Sequence, residues 1–129
     1  MSAGKYSFSI DQGSTFRIGV QYLDSNSTPI DLAGYNGRMQ IRSDYADNTN
    51  TLYTTISSSI DTDGTGLNFN GLNGDQPLSS GSIGITISAE KTTSMSFDSG
   101  FYDLELYSGS FVTRILEGSV LINKEVTRV

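Results

Sequence analysis

Between Gly100 and Ile122 apolar and polar residues alternate on both sides of one glycine-containing turn. The run Tyr102-Asp103-Leu104-Glu105-Leu106 has a period of two, a turn follows at Ser108-Gly109-Ser110, and a second run carries Val112, Leu116, Val120 and Ile122. Period-two alternation around such a turn predicts an antiparallel hairpin with one face buried, so residues 100–129 read as a compact β-hairpin. A helix would need apolar residues every three to four positions, and this stretch does not supply them.

The same pattern recurs upstream. Tyr6, Phe8 and Ile10 alternate with Ser7 and Ser9, and Phe16, Ile18, Val20 and Tyr22 alternate with Arg17, Gly19 and Gln21. Met39 and Ile41 sit between Arg38, Gln40 and Arg42. Leu52, Thr54 and Ile56 begin another strand, Leu67 and Phe69 form a brief one, and Ile83, Ile85 and Ile87 form the cleanest. Turns separate them at 11–14, 24–29 and 61–66, and residues 70–81 form the longest loop, with Pro77 and several glycines. Ser88 is placed to cap one helical turn over 89–93. About seven to nine short strands with turns roughly every 8–12 residues predict an all-β antiparallel sandwich or barrel, and no helix is long enough for a parallel crossover. An immunoglobulin-like sandwich is favoured, because a helical turn followed by Gly100-Phe101-Tyr102 resembles the E–F corner of that fold. Tyr102 then reads either as the corner tyrosine, its hydroxyl bonded to upstream backbone, or as a core aromatic.

At 129 residues the chain is read as a single domain over 1–129, long enough to fold without a staple. The absence of Cys excludes disulfides and thiolate metal sites. The absence of His removes the usual general base and any Ser-His-Asp triad. Fourteen acidic residues are spread along the chain with no pattern that pairs two across a cleft, so no catalytic residue is expected. Asp61-Thr62-Asp63-Gly64 resembles the start of a calcium loop but lacks the later acids and the closing Glu, so it reads as a turn. No metal or cofactor is expected.

A net charge of −6, with eight scattered Lys and Arg, argues against nucleic acid and against an anionic membrane surface. No apolar run approaches the ~20 residues that span a bilayer. Met1-Ser2-Ala3-Gly4-Lys5 lacks the apolar core of a signal peptide, which predicts synthesis in a cytoplasm. Seven Tyr and six Phe remain as candidate contact groups. Tyr45 and Tyr53 lie in or beside a polar loop, and Tyr107 points opposite to Leu106. Tyr6 and Phe8 lie on an N-terminal strand suited to a sheet edge, and Arg128 lies on the polar C-terminal segment. Each also reads as ordinary strand filler, and exposed rings at Tyr45, Tyr53 or Tyr107 would equally suit sugar stacking.

Several segments taken in order resemble one family. They are Asp11-Gln12-Gly13-Ser14-Thr15-Phe16, Tyr22-Leu23-Asp24, Thr28-Pro29-Ile30-Asp31-Leu32-Ala33-Gly34-Tyr35 and Arg38-Met39-Gln40-Ile41-Arg42. Ser88-Ala89-Glu90, Gly100-Phe101-Tyr102-Asp103-Leu104-Glu105-Leu106, Arg114-Ile115-Leu116-Glu117-Gly118 and Glu125-Val126-Thr127-Arg128 complete the series. The series is similar to small virion structural domains of tailed bacteriophages, including the N-terminal attachment domain of baseplate upper proteins and related cyanophage structural proteins. The resemblance implies an immunoglobulin-like sandwich without catalytic residues, made in the host cytoplasm and built into the virion at the tail, baseplate or neck. Its partners would be other virion proteins, in multiple copies, with a homo-oligomer among the arrangements left open. In that family a fibre-like or receptor-binding region follows the attachment domain, whereas this sequence ends at Val129. Capsid decoration and a carbohydrate-binding module for host glycans are the alternative readings.

Overall fold

The computed structural model describes residues 4–43 and 51–125. In chain order its strands are β1 (Gly4–Lys5), β2 (Phe8–Asp11), β3 (Phe16–Gln21), β4 (Asn36–Arg42), β5 (Leu52–Ser57), β6 (Gly66–Asn68), β7 (Ser82–Ile87), β8 (Ser99–Ser108) and β9 (Phe111–Asn123). A 3-10 turn (Leu78–Ser80) precedes β7, and one short helix, α1 (Ala89–Thr93), lies between β7 and β8. Ser88 caps α1 as the sequence predicts, its side chain accepting from the Lys91 amide.

The strands form two sheets. One is six-stranded in the order β1-β9-β8-β4-β5, with β2 continuing beside β9; the other is three-stranded in the order β3-β7-β6. The hairpin β8–β9 runs in register from Ser108↔Phe111 to Ser99↔Leu121. Gly109, at φ 58°, takes the first of its two turn positions, the place a type II′ turn reserves for glycine. A register shift between Leu104 and Glu105 leaves Ile115 as an extra residue on β9.

The two sheets pack face to face in a sandwich-like arrangement. Ile10, Met39, Ile41, Ile56, Tyr102, Leu104, Leu106, Val120 and Ile122 of the larger sheet meet Leu67, Ile83, Ile85 and Ile87 of the smaller one. All of these are buried, and together they supply most of the apolar area that drives folding. The outer face of the smaller sheet carries Gly19 and Gly84, and the loop over 70–77 lies on it. A Cβ at Gly84 would stand 2.6 Å from the Leu72 Cα, so this glycine is what lets the loop backbone settle there.

Three expectations are corrected. The ladders are not all antiparallel: β1 and β2 both run parallel to β9, with Gly4 opposite Leu116 and Asp11 opposite Asn123. Leu52 and Ile56 do not share a buried face, because the ladder slips between Ile41 and Arg42 and leaves Leu52 44% exposed. Val112 is not part of the buried run: it pairs with Tyr107 on the outer face and is 47% exposed.

Tyr102 satisfies part of each of its two readings. The side chain is buried in the core, and its hydroxyl donates to the Tyr6 carbonyl at 2.6 Å. That acceptor is upstream backbone, but it belongs to the N-terminal strand 96 residues away rather than to the adjacent corner. The bond explains the interruption between β1 and β2. The register offset is the same on both sides of it, yet at the break the Tyr6 carbonyl turns over Gly118, 2.0 Å from where a Cβ would stand there. The Ser119 amide, which a regular parallel ladder would give to Tyr6, donates to the Ser7 hydroxyl instead.

Candidate protein-contact surface

The outer face of the six-stranded sheet is a lattice of cross-strand charges. Arg38 on β4 meets Glu105 on β8 at 2.9 Å and lies over the Tyr107 ring at 4.8 Å. Arg114 on β9 bridges Asp103 at 3.2 Å and Glu117 at 3.7 Å, and Lys5 on β1 closes the row on Glu117 at 2.9 Å. Asp103 stands directly opposite Glu117 in the ladder. Burial, reinforced by the neighbouring Glu105, holds the Asp103 carboxyl above its usual range despite Arg114. The hydrogen bond from Lys5 holds Glu117 below its usual range. These charges are engaged with one another, so the face is a solvated, internally paired surface.

The Asp61–Thr65 turn is also internally engaged. The Asp63 carboxylate accepts from the Thr65 amide and the Ser88 hydroxyl, both at 2.9 Å, with Lys91 at 4.0 Å. The Thr65 amide is the main reason its carboxyl titrates low. The carboxylate therefore ties the turn to the N-cap of α1, as the turn reading of Asp61-Thr62-Asp63-Gly64 anticipates.

The candidate contact residues do not converge. Tyr6 is exposed at the break between β1 and β2, while Phe8 is half-buried, stacked on Phe16 with ring centroids 4.9 Å apart. Tyr53 lies at the opposite edge of the sheet. Its ring stacks on Phe97 at 4.0 Å with planes only 4° apart, beside a cleft of about 170 Å³ that Lys91 and Met95 help to line. Each ring therefore has one face taken by the other. Tyr107 is half-buried under Arg38 in the middle of the sheet. Tyr45 and Arg128 lie outside the described residues.

A different surface emerges at the first half of β9. β1 and β2 lie along the outer edge of β9 from Leu116 onward, and the described residues begin at Gly4, opposite Leu116, so Phe111 to Ile115 have no strand partner on that side among them. In an antiparallel ladder, alternate residues turn both backbone groups toward the partner strand. Phe111 faces Ser108 across the turn and Thr113 faces Leu106, so Val112 and Arg114 direct their N–H and C=O groups outward. Phe111 is 55% exposed, its ring tilted against Tyr35 with centroids 6.3 Å apart. Beside the strand a groove of about 460 Å³ opens between Tyr22 and Leu23 on one side and Gly4, Ile115 and Leu116 on the other. Phe111 and Val112 carry no motif that marks them in the sequence. The only available signal is their position next to the turn, where a strand outruns the sheet that faces it.

No protein-family model matches the chain, and no curated protein matches its sequence.

Proposed function

We propose that this chain is an immunoglobulin-like attachment domain of a tailed-phage particle, acting without catalysis through protein–protein contacts. Immunoglobulin domains place strands B, E and D in one sheet and G, F and C, with C′ in the variable type, in the other. Giving β3 through β9 the names B, C, C′, D, E, F and G yields B-E-D for one sheet and G-F-C-C′ for the other. The N-terminal strands then occupy the A position alongside G, and α1 occupies the E–F corner. This correspondence supports the fold that the family resemblance implies.

The observation that carries a contact function is the pair of exposed apolar side chains at the start of β9, Phe111 and Val112. Phe111 is 55% and Val112 47% exposed, and adjacent exposed apolar side chains of this kind mark contact surfaces. The test is mass spectrometry and a low-resolution map of purified particles. The expected result is this chain as a stoichiometric component of the tail, baseplate or neck. Its absence from purified particles would overturn the proposal, and hundreds of copies on the head would replace the tail location with capsid decoration.

A further inference from the structure

We infer that Asn73 is a site of spontaneous deamidation, and that the fold confines this reaction to one of the chain's three Asn-Gly pairs. The pairs are Asn36-Gly37, Asn70-Gly71 and Asn73-Gly74. The same chemistry is open to each. The backbone nitrogen of the glycine attacks the side-chain carbonyl carbon of the asparagine, a C–N bond forms, and the side-chain nitrogen leaves as ammonia. Water then opens the five-membered imide at either carbonyl, giving aspartate or isoaspartate. One water is consumed, one ammonia is released and nothing is oxidised. Glycine favours the reaction because no Cβ hinders its nitrogen or the backbone rotation that ring closure needs.

The structure separates the three. Asn36 lies on β4 opposite Tyr107 of β8, and ring closure would turn its backbone out of that ladder. The Gly37 amide donates to the Ser58 hydroxyl at 3.0 Å, and Gly37 is buried against the Phe69 ring. Asn70 is tied at the base of the loop over 70–77. Its Nδ2, the leaving group, donates to the Gln76 carbonyl at 2.9 Å, and the Gln76 amide donates back to the Asn70 carbonyl at 2.9 Å. Gly71 is buried, its amide on the Asn68 carbonyl. Asn73 and Gly74 are both exposed to the water that the reaction consumes. The Asn73 side chain makes no hydrogen bond among the described residues, and the Gly74 nitrogen is held by one surface turn bond, to the Gly71 carbonyl at 3.2 Å. A Cβ at Gly74 would meet nothing nearer than the Asn68 Nδ2 at 3.7 Å, so the backbone has room to rotate.

The product alters a surface and spares the core. With Gln21, Asp75, Gln76 and Ser82, Asn73 lines a polar groove of about 430 Å³ over the smaller sheet. Deamidation sets a second carboxylate close to Asp75, and isoaspartate adds one atom to the main chain. That atom enters between two anchors of the loop, the Arg17 bond to the Leu72 carbonyl at 2.8 Å and the Asn70–Gln76 pair. The groove therefore becomes more acidic while the sandwich stays folded.

The test is to incubate the full chain at mildly alkaline pH, once folded and once in denaturant. Peptide mapping with fragmentation that distinguishes aspartate from isoaspartate then gives a rate for each pair. In denaturant the three pairs should react at similar rates. In the folded chain Asn36 and Asn70 should be slowed at least about tenfold, because they must wait for local opening, and Asn73 should be slowed by less than that. The gain of one mass unit should then fall first on Asn73, with matching release of ammonia and an unchanged far-UV circular dichroism spectrum. Asn73→Gln keeps the amide but would have to close a larger ring, so it should abolish the early mass change. Reaction of Asn36 or Asn70 as fast as Asn73 in the folded chain would overturn the inference, as would protection of Asn73 as strong as theirs. An early mass change that persists in the Asn73→Gln variant would place the reaction elsewhere. Loss of the β-sheet spectrum as Asn73 reacts would refute the confinement of the effect to the groove.

Discussion

The contact between Tyr102 and Tyr6 decides how the N-terminal strand is held, and its removal has a calculable effect. Tyr102→Phe deletes one hydroxyl from a side chain that is 1% exposed and leaves the ring in place. The lost bond, at 2.6 Å, satisfies a backbone carbonyl that has turned away from its ladder position. A neutral hydrogen bond is worth about 1 kcal/mol net, and leaving a part-buried acceptor unpaired raises the cost, so the expected loss is about 1–2 kcal/mol. For a chain of this size that lowers the thermal midpoint by roughly 3–8 °C. Gly118→Ala should cost more, about 2–4 kcal/mol, because the new Cβ would stand 2.0 Å from the Tyr6 oxygen and the carbonyl must move off the site where Tyr102 reaches it. The two changes therefore act on one contact. Once Gly118→Ala has displaced the carbonyl, Tyr102→Phe should add less than about 0.5 kcal/mol. Urea denaturation followed by far-UV circular dichroism on the two single variants and the double variant measures all three values. Full additivity, or a Tyr102→Phe cost below about 0.3 kcal/mol, would show that the hydroxyl does not hold the N-terminal strand.

Three further outcomes are expected. Gly84→Ala should destabilise the chain by about 1–3 kcal/mol in urea denaturation, because the added methyl meets the Leu72 backbone at 2.6 Å and the loop must lift. Asp103 is held above its ordinary pKa of 3.8, so its folded-state contribution is fully present below that value and is lost as the pH rises through the raised one; Asp103→Asn should therefore be at least as stable as the parent at pH 7 and lose that advantage in acid, measured as thermal midpoint against pH. Asp63 is held below 3.8, which reverses the sign: Asp63→Ala should be less stable than the parent at neutral pH, and the gap should close as the pH falls through the lowered value.

The architecture was legible in proportion to how local its causes are. Ile83, Ile85 and Ile87 read as a strand and are buried, because a strand covered by a facing sheet needs only its own alternation to show. Ser88 read as an N-cap because the bond it makes spans three residues. The parallel pairing of β1 and β2 was not legible, since Tyr6, Phe8 and Ile10 alternate identically whichever strand they join. Leu52 misled for a related reason: a one-residue slip at Ile41/Arg42 reverses which face a side chain takes, and nothing in residues 51–57 records a slip in the pairing. Among the candidate contact residues, Tyr53 reads as a ring beside a polar loop and Tyr107 as a ring on the face opposite Leu106. Whether such a ring is free depends on Phe97 and Arg38, each more than 40 positions away in sequence. Phe111 alternates like a core residue beside the turn, and its exposure is set by tertiary packing that the local sequence does not record.

The two halves of β9 show how one long strand is kept from association by different means. An unpaired edge invites association, and natural sheets cover, bend or charge such edges. From Leu116 to Asn123 the edge is covered by β1 and β2, and the cover is fastened by the Tyr102 hydroxyl, the Ser7–Ser119 pair and the Lys5–Glu117 bridge. From Phe111 to Ile115 the protection is of another kind. The extra residue at Ile115 breaks the ladder, and the Arg114 charge sits between the apolar Val112 and Ile115. A bulge and a charge of that sort both disfavour pairing with a foreign strand. The clamp at Tyr102 holds the cover where it breaks between β1 and β2, so losing that hydroxyl loosens the cover over the Leu116–Asn123 edge and leaves the turn end of the strand as it is.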